Sequence, residues 1–397
     1  MDGVVKQSER LARIPVLSYG FRPFFIAGAA WAALAMLIWL GFLTGRIDIA
    51  SSYGPVAWHA HELLFGYAGA IVAGFLLTAV PNWTGRLPIR GGSLLALFSL
   101  WGAGRVALLL VDRIGLVEAI AVDSVFLICF AFVVSREVLV GGDRRNAKVG
   151  GLVALLALMN ILFHVEVLTF GAAVYALRGG IAVLVVLVIV IGGRIIPSFT
   201  RNWLVKQGRK RLPVPFNRFD LVVLGVSGIA LAFWVAMPDG GPAGAFCILA
   251  GGLHVARLAR WAGLAAWREP LVLILHVGYS FVPVGFLMVG GSVLWPLVFS
   301  LSAAIHAWTA GMVGVMTLAV MTRASLGHSG RDLRATPATN VIYAAVALAA
   351  VCRIAALSLG ESYLYVLTAS AAFWIAAFSG FCLLYGPMLF NLKQNSD

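Results

Sequence analysis

Eighteen consecutive residues from Leu63 to Val80 carry no charged side chain, and comparable apolar runs recur from one end of the 397-residue sequence to the other. A helix of that length is what crosses the roughly 30 Å hydrocarbon core of a bilayer. Inside lipid a backbone must satisfy its own hydrogen bonds, so only helices and closed barrels can span. These runs are long and rich in Leu, Ala, Val and Gly, where a barrel would need short alternating segments. A composition of 61% hydrophobic and 11% charged residues, with a mean hydropathy of +0.96, excludes a soluble domain.

The chain therefore reads as an all-α polytopic integral membrane protein of about twelve transmembrane helices. The expected spans are 24–44, 58–80, 92–111, 115–135, 149–170, 174–196, 219–237, 242–260, 269–290, 294–321, 338–358 and 362–390. The longest connection, about Pro197 to Arg218, is too short to bury a core of its own, so residues 1–397 are expected to form a single integral membrane domain. Gly66, Ala70 and Gly74, spaced by four, read as ordinary close packing between helices. No internal repeat and no pair of interrupted helices is evident.

A net charge of +13 raises the question of nucleic acid, and the placement of the charge answers it. All but five of the 29 Lys and Arg fall at the termini or the even-numbered connections. The exceptions are Arg46, Arg113, Arg178 and Arg353 at odd-numbered connections and Arg105 inside the third span. By the positive-inside rule both termini are cytoplasmic, and the basic segment Lys206 to Arg211 faces anionic lipid rather than nucleic acid. The four cysteines stand singly within spans, which excludes a disulfide framework, an iron–sulfur cluster or a thiolate zinc site. No cleavable signal is expected, since the first twenty residues are polar and basic.

In so apolar a chain the polar side chains are the chemistry. Trp58-His59-Ala60-His61-Glu62 stands at the mouth of the second span, and an ionisable residue inside a span is a functional hypothesis by default. Residues two apart on a helix point roughly 200° apart, so His59 and His61 cannot hold one metal from a regular helix and are expected to address two sites. Glu62 can accept a hydrogen bond from an imidazole, the usual device that orients a ligand. His164 and His306 are expected in an outer group with them. His276, sharing a helix face with Tyr279, and His328, on a glycine-bracketed turn between Arg323 and Arg331, are expected in an inner group. Those two arginines have the shape to clamp a haem propionate. His254, followed by Arg257 and Arg260, reads as an interfacial helix end. Arg105, Glu118, Asp123 and Glu166 are expected to form ion pairs or, with Glu62, a proton path.

The chain resembles the NnrS family of haem- and copper-containing membrane proteins. The resemblance rests on Phe21-Arg22-Pro23-Phe24-Phe25, on Trp58 to Glu62 with Gly74 to Gly85 closing the second span, and on Gly193 to Thr200 ending the sixth. It continues in His276 with Tyr279, in His306 followed by Gly311, and in Met321-Thr322-Arg323 with Leu326 to Arg331. It implies a protein of the bacterial cytoplasmic membrane that holds haem, expected to be of b type and in one or two copies, together with copper. It implies nitric oxide as the ligand, a part in nitrosative stress tolerance, and an association with denitrification. His59, His61, His164, His276, His306 and His328 are the expected metal and cofactor ligands, with Arg323 and Arg331 beside the cofactor and with Glu62 and Tyr279 as the groups of catalytic interest. Six histidines would furnish a two-ligand haem, a one-ligand haem and a three-histidine copper. The alternatives are a quinol-linked oxidoreductase that reduces nitric oxide and a secondary transporter.

Overall fold

The computed structural model describes residues 9–142 and 146–391. Lys6, Arg144, Arg145 and Lys393, counted in the charge distribution, lie outside those residues. The described chain is helical, with no strand. Twelve helices are long and apolar enough to cross a membrane: α1 (Phe21–Leu43), α2 (Pro55–Thr84), α3 (Gly92–Leu109), α4 (Leu116–Val140), α5 (Ala147–Phe170), α6 (Tyr175–Lys206), α7 (Arg218–Ala236), α8 (Gly241–Ala259), α9 (Pro270–Leu294), α10 (Leu301–His328), α11 (Pro337–Ser358) and α12 (Gly360–Phe390). The protein is a polytopic all-α membrane protein.

Each helix answers to one expected span, and the departures have physical reasons. Helix α6 does not stop before Pro197 but runs through it to Lys206. A proline removes one backbone bond, and in an apolar setting neighbouring groups compensate, so the helix continues. Helix α9 extends to Leu294, and α10 starts only at Leu301, where the Ser300 side chain accepts from Ala303 N–H as an N-cap. His328 is consequently the last residue of α10 rather than part of the turn, which follows at Gly330 with φ of +64°.

Two of the helices widen partway along, a feature that the sequence does not announce. In α2 a π-helical segment, Glu62–Tyr67, begins directly after His61; in α10 another, Ala307–Val313, begins directly after His306. Such wide turns concentrate at functional sites. They keep the backbone bonded and need no proline, so hydropathy does not announce them. The wide turn in α2 also serves a neighbour, since Trp101 Nε1 donates to Gly66 O at 2.9 Å.

Internal contacts group the chain into two units. Among the described residues one comprises 9–142, 146–180, 321–332 and 378–391; the other comprises 181–320 and 333–377. In the first, α4 packs between α3 and α5, and α2 lies against α1 and α4. Gly74 makes the α1 contact possible, because a Cβ there would sit 2.8 Å from Phe25 ring atoms. The buried Arg22 guanidinium donates to the carbonyls of Met388, Leu389 and Asn391, satisfying groups that a helix end leaves open. In the second unit α8 packs between α7 and α9, and α10 lies against α9 and α11. There Gly285 leaves room for the Trp308 indole, whose Nε1 donates to Val282 O at 3.2 Å.

A buried histidine and carboxylate centre in the first unit

The π segment of α2 brings a carboxylate and an imidazole into the interior together. His61 and Glu62 are both fully buried. His61 Nδ1 lies 3.2 Å from Glu62 Oε1, and its Nε2 lies 2.7 Å from Asn160 Oδ1 and 3.2 Å from Asp123 Oδ2. From α5, one turn beyond Asn160, His164 meets the same carboxylate, with Nε2 at 2.9 Å from Asp123 Oδ2. Because the Asp123 carboxylate accepts, the neutral ring donates from Nε2, and its Nδ1 accepts from the Tyr53 hydroxyl at 2.8 Å. The two imidazole rings are 4.6 Å apart.

Arg105, from α3, closes the group from the other side. It donates through Nη1 to Glu62 Oε2 at 2.6 Å and through Nη2 to Asp123 Oδ1. Gly66 accommodates it, because a Cβ at that position would collide with Arg105 Nη1. Isolated buried charge is prohibitively costly, so the balance matters. Two carboxylates face one guanidinium, which leaves one negative charge for a proton or a metal ion to neutralise. Ligand atoms of His61, Asp123 and His164 all lie within 4.8 Å of one another. That is a nitrogen and oxygen donor set of the size of a single metal ion, and imidazole with carboxylate suits copper, zinc, iron or nickel.

His59 faces elsewhere, as its angular offset from His61 requires. Its ring stacks on Trp39 at 4.3 Å and 18° and is half-buried. His328 sits at the exposed end of α10 beside the rings of Tyr19 and Phe21. Arg323 is half-buried within α10, and Arg331 is exposed beyond its end. Two supposed intramembrane acids have other duties. Glu118 is exposed in the first turn of α4. Glu166 accepts from the backbone N–H groups of Val174, Tyr175 and Ala176, anchoring the start of α6.

The second unit holds a separate polar network. His254, read from the sequence as a helix end, is fully buried and stacks on Phe286 at 5.5 Å. Arg257 donates to Asp220 Oδ1 at 2.8 Å, to Ile189 O at 3.0 Å and to the Tyr279 hydroxyl at 2.9 Å. Tyr279 in turn donates to His254 Nδ1 at 3.0 Å, and His254 Nε2 meets Ser227 Oγ at 2.9 Å. Asp220 and Ser227, seven apart on α7, face α8, where His254 and Arg257 are three apart: each pair shares a helix face, a spacing that does not by itself announce burial. His276 and Tyr279 do share a face, and both rings lie against Trp261, with His276 Nε2 at 2.9 Å from the Thr200 hydroxyl.

His306 stands apart from that network. Its Nδ1 donates to Ser302 O at 2.7 Å, leaving Nε2 as a lone pair on a half-buried ring. Arg353, from α11, donates through Nη2 to Ser302 Oγ at 3.2 Å.

No curated protein matches the sequence. The NnrS family, described as NnrS protein, matches over residues 15–393. Coverage of nearly the whole chain, together with the helical architecture, settles the lineage: this protein belongs to the NnrS family.

Proposed function

We propose that the protein holds copper and haem in the bacterial cytoplasmic membrane, with both termini cytoplasmic, and binds or turns over nitric oxide in defence against it. The observation that carries this reading is the buried group of His61, His164 and Asp123 within a chain of this family. The group offers two imidazoles and one carboxylate, a set suited to a single copper ion; it differs from a three-histidine site in taking its third donor from Asp123. For haem the fitting ligand is His306. Its Nδ1–H is held by Ser302 O, the arrangement that fixes the tautomer and orients a metal-binding imidazole.

When bound, haem with one protein ligand supplies an open coordination position for a diatomic gas, and copper supplies a second binding or electron-relay centre. The chain itself excludes water from the copper position by burying every donor, and Asn160 and Tyr53 orient His61 and His164. Glu62, bonded to His61 and Arg105, favours the related reading of a quinol-linked oxidoreductase, since it puts a proton-carrying group beside a ligand.

Purification in detergent from haem-replete, copper-replete cells tests the reading. The expected protein is coloured, with a Soret band that shifts on exposure to nitric oxide, and contains copper. Colourless, copper-free protein overturns it. Unaltered nitric oxide turnover in Glu62→Gln would remove the oxidoreductase role of that carboxylate.

A further inference from the structure

Arg353 lies in the last turns of α11, beside an odd-numbered connection, where few of the chain's cations fall. It has no carboxylate partner among the described residues. Its Nη2 is engaged by Ser302 Oγ, whereas its Nη1 is buried and has no hydrogen-bond partner. A buried donor left unmade is expensive, and a guanidinium most of all. Ser302 also supplies the backbone carbonyl that holds His306 Nδ1–H, so one residue fixes both side chains. What results is a pair of opposite chemical character: a lone pair at His306 Nε2, suited to a metal centre, and an unsatisfied cationic donor at Arg353 Nη1, suited to a carboxylate.

We propose that His306 and Arg353 together form a receptor for a metalloporphyrin, His306 taking the metal and Arg353 taking a propionate. The assignment rests on the haem reading above and moves the propionate contact from Arg323 and Arg331 to Arg353. A small free anion would satisfy the guanidinium but would meet the unprotonated Nε2 as a repulsive neighbour. A bare metal ion would satisfy the imidazole but would lie beside a positive charge. A ligand carrying both a metal and a carboxylate arm answers both. Arg353 is then a positioning residue, and guanidinium is shaped for a two-oxygen partner in a way that an ammonium is not.

The test uses the full chain in detergent, depleted of haem and titrated with haemin or with haemin dimethyl ester, binding being read from the Soret absorbance. Wild type is expected to hold haemin more tightly than the ester by about tenfold or more, the scale of a charge-assisted hydrogen bond. Arg353→Gln should bind the two equally, at the affinity wild type shows for the ester, and Arg353→Lys should restore part of the difference, which also controls for misfolding. His306→Gly should lose haemin and regain it, with the spectrum of an imidazole complex, when imidazole is added. Equal affinity of wild type for haemin and ester, the same preference in Arg353→Gln, or an unchanged spectrum in His306→Gly would each overturn the assignment. Wild type that binds no haemin at all would instead overturn the haem reading itself.

Discussion

Arg105 Nη1 and Glu62 Oε2 meet at 2.6 Å, with Gly66 leaving the space in which the guanidinium lies. The same guanidinium reaches Asp123, so one cation ties α2 to α4 through α3. Removing one member of a buried ion pair leaves the other uncompensated and costs about 3–5 kcal/mol. Arg105→Ala and Asp123→Ala should each lower thermal stability in detergent by that order. Gly66→Ala should act in the same direction while every charge is retained, because its methyl group displaces the guanidinium. A melting temperature unchanged in all three variants would show the pair to be dispensable.

His61→Ala and His164→Ala should each abolish copper retention, measured by metal analysis of purified protein. His59→Ala should retain it, because that ring stacks on Trp39 instead of facing Asp123. Loss of copper in His59→Ala with retention in His164→Ala would reverse the assignment.

Glu166 fastens the beginning of α6 through three backbone N–H groups. Glu166→Ala should cost about 1 kcal/mol, as loss of a helix-end side-chain acceptor does, and should speed amide exchange at 174–176 while copper content stays the same. Glu166→Gln should be milder. A loss of copper would restore a role at the centre.

Asp112 lies outside the spans and binds the turn before α2. Its carboxylate accepts from the Ser52 hydroxyl at 2.6 Å, from Ser52 N–H at 2.8 Å and from Ser51 N–H at 2.9 Å, which hold its pKa below the usual carboxylate range. A group whose folded pKa is depressed stabilises above its unfolded value, about 3.9 for Asp, and loses that contribution as pH falls through the folded value. Amide exchange at Ser51 and Ser52 should therefore stay slow from neutral pH through the unfolded value and quicken only below it. In Asp112→Asn the protection should be weaker and independent of pH. Release of the turn near pH 6 in wild type would contradict this.

The helices were legible because an apolar run long enough to cross a bilayer leaves few other solutions. The site was legible in part. The opposed directions of His59 and His61 follow from helical geometry alone, and the buried charges of Arg105 and Asp123 had to find partners. Tyr53 was not legible: it precedes the span in a turn, where no periodicity connects it to His164 on α5. Nor was the burial of His254 and Arg257, because a local reading of arginines near a helix end suggests an interface, while the network depends on Asp220 and Tyr279 from other helices. The bonds of Glu166 were not legible either, since its acceptors are used by the start of the next helix.

The wide turn at Glu62–Tyr67 makes the centre depend on chain length as well as on residue type. Each residue of a regular helix advances it by about 100°. The wide turn takes one residue more than an α turn, so deleting one residue there would let ordinary α geometry resume with His61 still facing Asp123, whereas deleting one from the regular helix that follows would rotate everything before it by about that angle. A protein with the second deletion would keep the composition of the site and lose its coincidence in space, so single-residue deletions between 68 and 84 should be tolerated less well than those between 63 and 67.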